Sequence, residues 1–271
     1  MKVKQAASPT VTPARDTKKH SVSLTTDPAT PKPGRETTVT ISVKDGAGAP
    51  VTKFADLHTK PAHLIAVSED LADFQHVHPM LNGVGTFDAK LTFKKDAHYR
   101  LWTEVKPQGA NKELLQVDDV STAGAISSPA RLVVDSDKPK IIGDAHAALT
   151  GAESIVANKK ATLTLALTDH ASGRALALEP LLGAGGHAIV VSADRAHFSH
   201  EHGSVVASST TPRTAGGAHG GHGRAGATAT AVPGSNVAFD VTFPAPGRYR
   251  VFFQTQARGE VITVPYNVDV G

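Results

Sequence analysis

Apolar residues recur at every second position in short runs along most of the chain. ETTVTISVKD at 36–45, TFDAKLTF at 86–93 and HYRLWTEV at 98–105 show the pattern, as do KATLTLALTD at 160–169, NVAFDVTF at 236–243 and RYRVFFQTQ at 248–256. AHLIAVS at 62–68, HAIVVS at 187–192 and GEVITVPYNVDV at 259–270 are further short runs bounded by turn residues. A period of two, many β-branched residues and flanking turn residues predict strands. With about seven runs in each half and few helical patterns, the expected fold is all-β: two tandem immunoglobulin-like Greek-key β-sandwich domains. A small barrel is the structural alternative.

The two halves repeat one another. Asp45, His63, Ser68, Asp70, Phe74, His76 and His78 recur 124 residues later as Asp169, His187, Ser192, Asp194, Phe198, His200 and His202. After an insertion the match resumes at a shift of 150, where Tyr99-Arg100 meets Tyr249-Arg250 and Trp102 meets Phe252. Solenoid repeats run about 20–50 residues, so a period this long points to duplicated domains. The expected boundaries are a polar, disordered lead at 1–19, domain 1 at 20–137 and domain 2 at 138–271, with a Gly/His-rich insertion at about 203–235.

Composition narrows the chemistry. The 271 residues hold no cysteine, which rules out disulfides, thiolate metal sites and cysteine nucleophiles. Net charge is +3 with scattered Lys and Arg, so no basic stripe suggests nucleic acid. No apolar run is long enough to span a membrane as a helix. No hydrophobic stretch follows Met1-Lys-Val-Lys-Gln, so no leader is legible. There is no H-E-x-x-H motif and no G-x-S-x-G elbow, and the chain is expected not to be an enzyme.

The repeated histidines, His-x12-His-x-His, are the candidate site. A four-residue loop at 69–72 would pair Ser68 with Asp73, Ile65 with His76 and His63 with His78. Strand side chains alternate faces, so His63, Ile65, Val67, Phe74, His76 and His78 would share one face, and the apolar members mark it as the core side. Three imidazoles at such positions can converge on one Zn²⁺, Cu²⁺ or Ni²⁺ ion. The expected ligands are His63, His76 and His78 in domain 1, and His187, His200 and His202 in domain 2. Weaker candidates are the loop residues His219 and His222, and Met80, whose counterpart is Ser204. The competing reading is structural: histidines at a core rim bond backbone groups or carboxylates such as Asp70 and Asp194. His20, His58, His98, His146, His170 and His197 carry no pattern and read as surface residues.

PAHLIAVSEDLADFQHVHP, followed by GTFDAKLTF and YRLW, resembles the YtkA-like and FixH-like secreted bacterial β-sandwich domains. GHAIVVSADRAHFSHEHG is a more diverged copy, with Gly203 where the pattern has Pro. The resemblance implies a periplasmic or secreted cell-envelope protein that handles a metal ion, copper most often, while the three-imidazole geometry suits zinc as well. A further cell-envelope protein is an expected partner. The alternative is a non-catalytic tandem module that presents surfaces to a partner. Copper-zinc superoxide dismutases also carry His-x-His on a β-sandwich, but they depend on a disulfide that this chain cannot form.

Overall fold

The computed structural model describes residues 20–206 and 236–271. The expected lead at 1–19 lies outside these residues, as does most of the Gly/His-rich insertion, with His219 and His222. The described chain is all-β and antiparallel in its sheets, with no helix among the described residues. The first repeat contains β1 (His20–Asp27), β2 (Glu36–Asp45), β3 (Ala62–Ser68), β4 (Phe74–Val77), β5 (Met80–Leu81), β6 (Thr86–Thr92), β7 (His98–Val105) and β8 (Leu114–Ser121). The second contains β9 (Lys140–Ile142), β10 (Ala145–Thr150), β11 (Lys160–Asp169), β12 (Gly186–Ser192), β13 (Phe198–Val206), β14 (Asn236–Thr242), β15 (Gly247–Ala257) and β16 (Glu260–Val270).

In the first repeat, two four-stranded sheets, β1-β2-β6-β5 and β4-β3-β7-β8, enclose one core. Val39, Ile41 and Val43 of β2 and Phe87 of β6 meet Leu64 of β3 and Tyr99 and Leu101 of β7 there. The expected hairpin register holds. Ile65 pairs with His76 and Val67 with Phe74, and Ser68 N donates to Asp73 O at 3.0 Å.

The expected core face does not hold. From β3 the core between the sheets takes Ala62, Leu64 and Ala66, and so His63, Ile65 and Val67 lie on the opposite face. The physical reason is that every residue of β3 is buried. A strand buried on both faces carries apolar residues on each, and alternation then cannot mark which face is the core. The histidine face also carries Trp102 and Glu104, which oppose Ile65 and His63 from β7.

The second repeat keeps this strand order but not the break. Its strands form one eight-stranded sheet, β16-β15-β12-β13-β14-β11-β10-β9. The single strand β13 stands where β4 and β5 are two strands. In the first repeat His78 and Pro79 interrupt the pairing, and proline has no N–H to offer a ladder. At the corresponding place Gly203 pairs with Phe239 and the strand runs on. A Cβ on Gly203 would lie 2.4 Å from Val237 Cγ1 and 2.5 Å from Phe239 Cε1.

The chain divides into two compact units. One is 20–133 with 190–199 and 247–250; the other is 134–189, 200–206, 236–246 and 251–271. Within the first, Trp102 stacks on Phe198 at 4.9 Å between ring centroids. Within the second, Asp135 accepts from Asn267 N at 2.7 Å and pairs with Lys140 at 2.6 Å, which anchors the start of that unit.

Candidate metal site

Two local turns prepare each histidine cluster. Leu57 and Lys60 exchange backbone hydrogen bonds at 2.7 and 2.9 Å around His58 and Thr59, which have φ of 52° and 66°. A two-residue hairpin turn with positive φ at both central positions matches strand twist, although non-glycine residues pay for it in backbone strain. The second repeat builds the same turn from Leu181 to Ala184, with Leu182 and Gly183 at φ of 49° and 79°. Each turn aims a carbonyl at the first histidine. His63 Nε2 lies 2.8 Å from Leu57 O, and His187 Nε2 lies 3.0 Å from Leu181 O.

The second turn closes the hairpin. Ser68 Oγ donates to Asp70 Oδ1 at 2.6 Å, and Asp73 N donates to Ser68 Oγ at 2.9 Å. Ser192, Asp194 and His197 repeat these bonds at 2.6 and 2.9 Å. Leu71 and Arg195 take the left-handed position, at φ of 59° and 58°. Asp70 and Asp194 therefore organise the turn: Asp70 also bonds Ala72 N and pairs with Lys95, and Asp194 bonds Ala196 N.

The carbonyl decides the tautomer of the first histidine. A carbonyl only accepts, so Nε2 of His63 carries the hydrogen, and the neutral ring presents a lone pair at Nδ1. That lone pair faces His76 Nε2 at 3.1 Å. The second repeat has the same arrangement, with His187 Nδ1 2.9 Å from His200 Nε2. Ligand nitrogens held tetrahedrally at about 2.0–2.1 Å from an ion lie about 3.3 Å apart, and their ring centroids about 5 Å apart. In the first repeat the centroids of His63, His76 and His78 are 5.3, 4.9 and 5.0 Å apart. In the second, His187, His200 and His202 are 5.1, 4.7 and 5.8 Å apart. In each repeat the first two histidines of the predicted trio thus meet nitrogen to nitrogen, while the third, His78 or His202, is placed beside them by its ring alone. His63 and His187 are buried, His76, His78 and His200 half-buried, and His202 stands at the exposed rim. Even there, the surrounding protein displaces enough water to hold the His202 imidazole below its ordinary value.

Met80 begins β5 in the other sheet, opposite Asp88, and is 79% exposed. Two residues near the first cluster were missed from sequence. His58, expected on the surface without a pattern, is half-buried with its ring 5.4 Å from His63. Its counterpart is Leu182, so the repeat comparison could not flag it. Glu104 is buried directly opposite His63. Burial pushes its carboxyl up to about 7, and the charge of His63 acts against that rise. A charged residue inside the apolar run HYRLWTEV was the signal available.

No curated protein matches the chain. Among solved structures, the bacterial integrin-binding protein invasin is similar at 15% identity, over 92% of this chain and 39% of its own length, with a TM-score of 0.24. The S-layer protein SbsC is similar at 12% identity, over 93% and 28%, with a TM-score of 0.23. Escherichia coli alpha-2-macroglobulin is similar at 10% identity, over 98% and 15%, with a TM-score of 0.27. The chain spans well under half the length of these three proteins, and scores this low bear on neither fold nor function. A sequence-family profile, described as a domain of unknown function, matches residues 15–118 and 141–271. By that match, which reaches into both repeats, the chain belongs to the DUF8832 family.

Proposed function

We propose that this is a cell-envelope protein, periplasmic or secreted, that binds copper or zinc ions through the histidine trios of two immunoglobulin-like Greek-key sandwiches. The observation that carries the reading is the shared nitrogen geometry. In both repeats an Nδ1 lone pair faces an Nε2 at 3.1 or 2.9 Å, while the far nitrogen of the first ring is held on a carbonyl. Metal-bound histidines commonly hold their second nitrogen this way, because it sets the tautomer and the ring orientation. An ion would replace the proton shared by the two rings. Envelope location and copper as cargo rest on the resemblance to YtkA-like and FixH-like domains, and zinc on the affinity of neutral imidazoles for it.

The test is calorimetric titration of metal-free protein with Zn²⁺ and with Cu²⁺. Binding should weaken as pH falls through about 6.5, where imidazoles protonate. His76→Ala combined with His200→Ala should abolish it. Unchanged binding in that double variant would falsify the trio sites.

The same hydrogen bonds favour a second reading, a structural or interaction module whose histidines tie the β3–β4 and β12–β13 hairpins to the preceding turns. On that reading the wild type takes up no metal, and the double variant only lowers the melting temperature.

A further inference from the structure

The two repeats set different residues beside their histidines. Glu104 on β7 stands directly opposite His63 on β3, and opposed residues of an antiparallel pair share a face. It is 7% exposed. Its counterpart, 150 residues on, is Gln254, which is 9% exposed and donates from Nε2 to Thr263 Oγ1 at 3.2 Å. The repeats thus differ by a carboxylate against an amide of nearly the same shape.

That difference matters for an ion. Neutral imidazoles leave the full charge of a bound metal in place, and burying an uncompensated charge is costly. A carboxylate on the facing strand, close enough for its charge to interact with that of His63, offsets one unit of the ion's charge. Coulomb attraction scales with the charge of the ion, so the same carboxylate gains twice as much from a divalent as from a monovalent cation. An amide gains little from either.

We propose that Glu104 is the counter-charge of the first repeat's metal site, and that it makes this site the tighter and the more selective for divalent ions. Gln254 leaves the second repeat's site weaker and less sensitive to ionic charge. A protein built this way binds a divalent ion first through the first repeat. The inference rests on the histidine sites proposed above.

The experiment is competition of the full chain against a chelating indicator, with Zn²⁺ and separately with Cu⁺ under reducing conditions. Wild type should bind Zn²⁺ in a tight and a weak step. Glu104→Gln should weaken the tight step by about 10- to 100-fold, the range for residues that support metal ligands. The loss for Cu⁺, in logarithmic units, should be about half as large. Gln254→Glu should strengthen the weak step. An equal loss for both ions would mean that Glu104 only shapes the site, and no loss would mean that it does nothing for the metal. Either result overturns the inference while leaving the histidine sites standing. Absence of binding in the wild type removes the histidine sites and this inference together.

Discussion

The two repeats build one strand order from different packing. In the first, His78 and Pro79 separate β4 from β5 along the chain, and two separate four-stranded sheets result. In the second, Gly203 lets β13 run through, and one eight-stranded sheet results. The partner strand differs to match. Ala89 of β6 corresponds to Phe239 of β14, and Phe87 corresponds to Val237. A large ring at 239 fills the space that a side chain at 203 would need, whereas the first repeat puts a small residue at that place and can hold a proline. The lesson is that duplicated cores diverge by exchanging volume between facing positions while topology stays fixed. The histidines, by contrast, keep their spacing, their turn and their carbonyl partner in both copies.

The largest expected effect that separates the repeats is electrostatic. Glu104 has a folded pKa raised to about 7 by burial, so the fold prefers its protonated form. The contribution of that acid is intact below the ordinary carboxylate range and is lost as pH rises through about 7. In metal-free protein, Glu104→Gln should match wild type near pH 4 and exceed it by about 3 kcal/mol near pH 8. Urea unfolding across that range reads this out, and parallel pH profiles would show that the carboxylate is not under strain. Gln254→Glu should create the opposite trend in the second repeat.

A smaller effect tests the packing exchange. Gly203→Ala drives a methyl group into Val237 and Phe239, and should cost about 1–3 kcal/mol by overpacking. Combining it with Phe239→Ala, which restores the first repeat's small residue, should recover part of the loss beyond additivity. Additive losses would mean that the two positions do not compensate each other.

The smallest effect tests what the repeats share. Ser68→Ala and Ser192→Ala each remove the hydroxyl that links the hairpin turn, at identical distances of 2.6 and 2.9 Å. Each should cost about 1 kcal/mol, the usual worth of such a bond. Losses differing severalfold would break the equivalence of the two turns.

Much was legible in the order of residues. Period-two alternation marked the strands, because a half-buried strand must alternate. A four-residue loop at 69–72 leads to the pairing of Ile65 with His76 that the structure shows, whereas a loop of three or five residues would have turned His63 to the other face. The recurrence of His63, His76 and His78 as His187, His200 and His202 marked the candidate site before any geometry was known.

What needed the tertiary structure was whatever depends on neighbours distant in sequence. The histidines lie on the face opposite the sandwich core, and this was illegible because β3 and β12 are buried throughout and show no polar side. Glu104 comes beside His63 only through the pairing of β3 with β7. The Leu57 carbonyl that sets the tautomer of His63 depends on a turn of His58 and Thr59, residues whose propensities do not favour positive φ. Local pattern decides which segments become strands and which residues face together along one hairpin. Which face is covered, and which charge stands next to which ring, is decided by packing between strands that the chain order alone does not bring together.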